Sequence, residues 1–77
     1  MKIEVLFFGV LADVARKERL TIDGAVDLDN LKRKITAEIP EFDDYKYQVS
    51  VNKTIIRENI KLNNGDEVAF LPPFAGG

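Results

Sequence analysis

One stretch of this sequence decides what kind of layer the rest must form. Between Asp27 and Pro40, residues Leu28, Leu31, Ile35 and Ile39 recur at i, i+3, i+7 and i+11. At 3.6 residues per turn that spacing lines them along one face of a helix. Lys32, Arg33 and Lys34 fall mostly on the opposite side, as a solvated face would. Asp27 is a good N-cap, and Val26 and Leu31 stand at the N′ and N4 positions of a hydrophobic staple. Pro40 ends the helix, because the residue before a proline is pushed out of the α region. A single long helix with one apolar stripe needs one apolar surface to cover it, and the other apolar segments have the spacing of strands.

From Lys2 to Phe8, Ile3, Val5 and Phe7 share one face while Lys2, Glu4, Leu6 and Phe8 share the other. The first set is a core face; the second begins charged and ends apolar. Gly9 breaks this strand, and Val10 to Arg16 reads as a short helix with Leu11, Val14 and Ala15 inward. Arg16-Lys17-Glu18-Arg19 is a solvated turn, and Leu20-Thr21-Ile22 a second strand, antiparallel to the first and ended by Asp23-Gly24. After the long helix, Glu41 to Lys46 reads as an acidic and aromatic loop containing Phe42 and Tyr45. Tyr47 to Val51 alternates, with Val49 and Val51 inward and Gln48 and Ser50 outward. Asn52-Lys53 turns the chain into Thr54-Ile55-Ile56. Asn63-Asn64-Gly65-Asp66 is a turn signal before a last strand, Glu67 to Leu71, with Val68 and Phe70 inward.

The architecture this predicts is α+β, a mixed sheet packed on one main helix. With the first and last strands parallel and adjacent, Phe8 and Leu71 meet on the face away from the helix, with Leu6 and Ala69 behind them. That apolar patch is expected to dock a partner.

The patch stands at the root of an unusual ending, Leu71-Pro72-Pro73-Phe74-Ala75-Gly76-Gly77. Two prolines cannot donate to a ladder and hold φ near −65°, so they stop the strand and stiffen the exit. Residues 72–77 could reach roughly 20 Å, at ~3.1–3.5 Å each. Gly76 and Gly77 have no Cβ and suit a narrow channel, and an α-carboxylate on Gly77 forms the tip. A frayed end would also be rich in glycine, but it has no use for two prolines.

Composition then excludes most chemistry. The 77 residues, read as one domain with a flexible tail over 72–77, include no cysteine and no histidine. Thiolate nucleophiles, imidazole bases and the usual zinc ligands are therefore missing. A net charge of −2 and a pI near 5.0 argue against nucleic acid or an anionic membrane as partner. No apolar run has transmembrane length and no signal-peptide pattern opens the chain, so a cytoplasmic location is expected.

Three stretches carry a family resemblance across the whole chain. Val51-Asn52-Lys53-Thr54, the run Asn64-Gly65-Asp66-Glu67-Val68-Ala69-Phe70-Leu71-Pro72-Pro73, and the ending Ala75-Gly76-Gly77 resemble the small subunit of molybdopterin synthase, the MoaD family. The opening Val5-Leu6-Phe7-Phe8 is similar to it as well. Departures fall at Ala12, where members often have arginine, at Leu71, often aromatic, and at Phe74, often a smaller aliphatic. The resemblance implies the β-grasp, or ubiquitin-like, fold. It implies that an E1-like adenylating enzyme (MoeB-type) uses ATP and magnesium to adenylate the Gly77 carboxylate. A sulfur donor then converts it to a thiocarboxylate. Pro72, Pro73, Phe74, Ala75 and Gly76 would carry that group into the large synthase subunit (MoaE-type), to which Leu6, Phe8, Ala69 and Leu71 dock. The sulfur passes to cyclic pyranopterin monophosphate, two transfers making the dithiolene. No cofactor is expected on the chain itself. A protein modifier joined through Gly77 to lysines, a thiamine-type sulfur carrier, and a plain binding module with an incidental tail remain open alternatives.

Overall fold

In the computed structural model, which describes residues 1–73, the elements follow in the order β1 (Lys2–Phe7), α1 (Val10–Ala15), β2 (Arg19–Asp23), α2 (Leu28–Glu38), a 3₁₀ turn (Pro40–Asp44), β3 (Gln48–Val51), β4 (Thr54–Ile56) and β5 (Glu67–Leu71). The strands form one sheet in the order β2-β1-β5-β3-β4. The two central strands are parallel, pairing Val5 with Val68 and Phe7 with Phe70. The pairs β1–β2, β5–β3 and β3–β4 are antiparallel. Parallel neighbours need a long crossover, and here nearly the whole chain supplies it. This mixed sheet on one main helix is the β-grasp arrangement.

Strand alternation puts Ile3, Val5, Phe7, Val49, Val51, Val68 and Phe70 in one buried layer with Leu28, Leu31 and Ile35 of α2. Ile39, the fourth member of the helical stripe, is the C-cap and only partly buried. The first turn of α2 finds partners for its free donors. Leu28 N donates to Ile60 O (3.0 Å), Asp29 N to Asn59 Oδ1 (2.8 Å) and Asn30 N to Asp27 Oδ1 (2.8 Å), each a donor that a helix start would otherwise leave unpaired. Leu31 N to Asp27 O (3.0 Å) is then the first regular helical bond.

Four local readings differ from the structure. The Val26–Leu31 staple does not form, since Val26 is 58% exposed. Residue 62 runs beside this entry, with Leu62 N donating to Val26 O at 3.0 Å. In that extended backbone, Ala25 is turned into the core and Val26 out of it. Asn30 Oδ1 accepts the Val26 N–H at 3.1 Å instead, so the cap closes through a polar side chain. The stretch read as a loop over Glu41 to Lys46 is largely the 3₁₀ turn, with Pro40 at its start, where a missing N–H costs nothing. Its Phe42 is not a surface aromatic. The ring is buried, with centroids 5.5 Å from Phe7, 5.3 Å from Phe70 and 5.2 Å from Tyr47. Ser50, on the outward face as expected, is nonetheless buried between neighbouring strands.

The turns are tied to the sheet. Asn52 and Lys53 have φ of 50° and 73°, the left-handed pair that a two-residue hairpin needs. Asn52 also accepts from Glu67 N (3.0 Å) and donates to Asp66 (3.0 Å), locking the hairpin to the start of β5. Asn64 Oδ1 accepts from Lys2 N at 2.7 Å, joining the Asn63–Asp66 turn to β1.

Two measurements check this core. Phe42→Ala should lose about 3–5 kcal/mol of stability in denaturant titration, the usual cost of emptying a buried aromatic site. Tyr45→Ala, three residues on and well exposed, should stay within ~0.5 kcal/mol. The Tyr47 phenol is raised above its ordinary value of 10.0 by burial, and further by the charge of Asp43. A raised folded-state value favours the neutral phenol, so its stabilising contribution is full below about pH 10 and lost as pH rises through the folded value. Stability of the parent should therefore fall more steeply above about pH 10 than that of Tyr47→Phe.

Candidate functional site

Because β1 and β5 run in parallel, their C-terminal ends lie together. The ladder continues one step past β1, with Phe8 N donating to Phe70 O at 3.1 Å. One further register step places Phe8 beside Leu71. Pro72 follows and has no N–H, so β5 cannot be extended. Pro72 is half-buried against Gly9, and Pro73 is exposed. The expected tail thus begins with a residue packed on the body. The expectations for Phe74, Ala75, Gly76 and Gly77 lie outside the described residues.

The face away from α2 grades from charged to apolar along the central strands. At one end Glu4 and Glu67 are paired neighbours, with Arg19 Nε 3.7 Å from Glu4 Oε1 and Thr21 Oγ1 3.4 Å from Glu4 Oε2. One row further, register aligns Leu6, Ala69, Ser50 and Ile55 across four strands. Leu6 and Leu71 are half-buried, whereas Phe8 is 45% exposed. Ala69 is buried, so it is a floor under this patch rather than a contact surface. The apolar end is the one at which β5 gives way to Pro72 and Pro73. A hollow of ≈ 490 Å³ opens beside it, lined by Leu6, Phe8, Gly9 and Ala12 together with Glu18 and Arg19.

Three neighbours of this corner were missed in the sequence. Val10 (46% exposed) opens a helix whose spacing marks only its inward residues Leu11, Val14 and Ala15. Ile55 reaches the patch only through the β3–β4 hairpin register, although the Asn52-Lys53 turn fixes that register. Gly9 reads as a strand breaker, and nothing local says that Pro72 lies over it.

The sequence has no histidine or cysteine, and among the described residues no group of acids is arranged to hold a metal. No helix among them is long and apolar enough to cross a membrane. What the geometry offers is an apolar end of the sheet face with Pro72 and Pro73 beside it.

The family model described as the ThiS family matches residues 5–77. The chain belongs to the ThiS family. A relative from Mycobacterium tuberculosis, the molybdopterin synthase sulfur carrier subunit, is 33% identical, the match covering 100% of this chain and 99% of the relative. Among solved structures, a complex of subunits 1 and 2 of molybdopterin-converting factor from Helicobacter pylori includes a chain 31% identical, with a TM-score of 0.74 and full coverage of both chains. A molybdopterin converting factor subunit 1 structure from Pyrococcus furiosus superposes with a TM-score of 0.87 over 96% of this chain and 99% of that one. At 20% identity the latter likeness concerns the fold. This ThiS-family chain therefore matches these proteins over nearly their whole length and shares the β-grasp architecture of the solved ones.

Facing can be tested on adjacent residues of this ThiS-family chain. Phe8→Glu should melt within ~0.5 kcal/mol of the parent, as surface changes do. Phe7→Glu should unfold the domain, because Phe7 is 2% exposed and would bury an unpaired charge. Similar melts for the two would overturn the assignment of Phe8 to the outer corner.

Proposed function

We propose that this chain is the sulfur-carrier small subunit of a molybdopterin synthase, acting in molybdenum cofactor biosynthesis. The observation that carries the reading is the coincidence, at one corner, of the apolar end of the sheet face with the Pro72-Pro73 exit. The full-length likeness to sulfur carrier subunits supports it, and the Helicobacter pylori complex supports a large subunit as partner.

The chemistry follows from what the chain has and lacks. A carboxylate is a poor electrophile because its charge is delocalised and oxide is a hopeless leaving group. An adenylating enzyme of the E1-like class would let a Gly77 carboxylate oxygen attack the α-phosphorus of magnesium-bound ATP, expelling pyrophosphate. Hydrosulfide released by a separate donor then attacks the acyl carbon, the acyl–phosphate bond breaks and AMP leaves, giving the thiocarboxylate with loss of a proton. The chain has no thiol or imidazole to supply the sulfur nucleophile or a general base, so it acts as carrier and not as a catalyst alone. Docked through Leu6, Phe8 and Leu71 on their Ala69 floor, it would pass Phe74, Ala75 and Gly76 into the large subunit. There the thiocarboxylate sulfur goes to cyclic pyranopterin monophosphate, in two rounds for one dithiolene.

Incubation with an adenylating enzyme, ATP, magnesium and a sulfur source should raise the intact mass by the difference between sulfur and oxygen, confined to Gly77. Deleting Gly77 should abolish the shift and leave the melt unchanged. Phe8→Glu should weaken binding to the large subunit by roughly 2 kcal/mol or more, as expected of a central aromatic anchor. A ladder of lysine conjugates in place of the mass shift would identify a protein modifier. No change at saturating reagents would sink the carrier reading.

A further inference from the structure

We propose that Gly9 is a positioning residue for the C-terminal segment: its bare Cα is the seat of the Pro72 ring, and that contact sets the direction in which the chain leaves the sheet. The inference rests on the carrier reading above and adds the part of the body that aims the tail.

Gly9 has φ 58° and ψ −136°, a combination open to glycine and strained for any L side chain. A surface turn could demand that alone. The second observation is spatial. A Cβ on Gly9 would stand 2.7 Å from Pro72 Cγ, 3.6 Å from Cδ and 4.0 Å from Cβ. The ring therefore occupies the place where a side chain would be. Gly9 is a firm seat because both its neighbours are anchored. On one side, Phe8 N is bonded to Phe70 O. On the other, Gly9 O accepts from Ala12 N (3.0 Å) in the first turn of α1, whose Leu11 and Ala15 are buried in the core.

Pro72 needs such a seat. The sheet pairs Leu71 with Gln48 through β3, but Pro72 has no N–H with which to continue. Its ring closure fixes φ near −65°, so fixing where the ring lies also fixes where the next bond points. A rigid residue on a rigid seat aims the chain; without the ring the exit is only loosened, whereas a ring pushed off its seat points the chain elsewhere.

The contact geometry supplies its own test. In Gly9→Ala the new methyl collides with Pro72 Cγ. In the double variant Gly9→Ala with Pro72→Ala, the Cγ and Cδ are gone and only Cβ remains, at 4.0 Å, an ordinary contact. The backbone strain at position 9 is present in both. Melting temperatures should therefore fall in both, while delivery should fail in one and recover in the other. For thiocarboxylation by the adenylating enzyme, Gly9→Ala should raise the carrier concentration giving half-maximal rate by roughly tenfold or more, since ångström misplacements cost reaction rates of that order and above. Pro72→Ala should cost a few-fold, and the double variant should lie nearer to Pro72→Ala than to Gly9→Ala.

A proton NMR cross-peak between Gly9 Hα and Pro72 Hγ reads the seat independently of function and should be present in the parent. Its absence overturns the proposal. A thiocarboxylated parent whose Gly9→Ala variant keeps parental kinetics, or a double variant whose defects simply multiply, also overturns the positioning role and leaves the carrier reading standing. A parent that shows the cross-peak and never becomes thiocarboxylated overturns the carrier reading, and with it the delivery role of the seat.

Discussion

The parallel pairing of β1 with β5 is the constraint on which the rest depends. It joins residues some sixty positions apart, Val5 with Val68 and Phe7 with Phe70, at the centre of the sheet. The chain between them adds β2, β3 and β4 to the same sheet, and α2 covers one face of it. The same pairing brings the end of the first strand beside the root of the last segment. Gly9, Phe8 and Leu71 become neighbours of Pro72 for no reason local to any of them. A non-local ladder of this kind carries a loop-closure cost that only burial on both strands can offset, and Val5, Phe7, Val68 and Phe70 are all almost completely buried.

Around that pair, the core is closed by an aromatic group contributed from four parts of the chain. Phe7 and Phe70 come from the central strands, Phe42 from the 3₁₀ turn and Tyr47 from the approach to β3. Edge-to-face contacts of Phe42 with Phe7 and Phe70 hold the end of α2 over the end of β1 and β5. This is the end of the sheet at which the chain exits. At the opposite end of α2, Ala25, Leu28 and Leu62 are buried as well, and backbone donors are satisfied there through Asn59, Ile60 and Val26. Polar ties thus add to apolar burial at the start of the helix.

A chain without histidine or cysteine can still take part in acyl chemistry if others activate it, and its contribution is then geometric. Stiffness matters more than reactivity in such a role. Two successive prolines remove backbone freedom at the exit from the sheet, and the first of them is packed against Gly9. The acidic rows at Glu4 and Glu67 keep the far end of the outer face solvated, which leaves its apolar end as the part able to lose water against a partner.

The helix over residues 28–38, the alternating strands, the Asn52-Lys53 hairpin and the Pro72 stop were legible in the sequence. Each depends on a period or a backbone preference within a few residues. The resemblance in Asn64 to Pro73 and in the terminal glycines pointed to the same fold and family. Tertiary structure alone decided three things. Phe42 entered the core because a cavity between Phe7, Phe70 and Tyr47 is made by segments that no local window contains. Val26 turned outward because residue 62 pairs with its backbone, overriding the staple that its position favoured. Gly9 became the seat of Pro72 because a parallel ladder joined residues that are 63 positions apart along the chain. Period and propensity act along the chain; exclusion of one atom by another acts through space, and only the closed sheet determines which atoms meet.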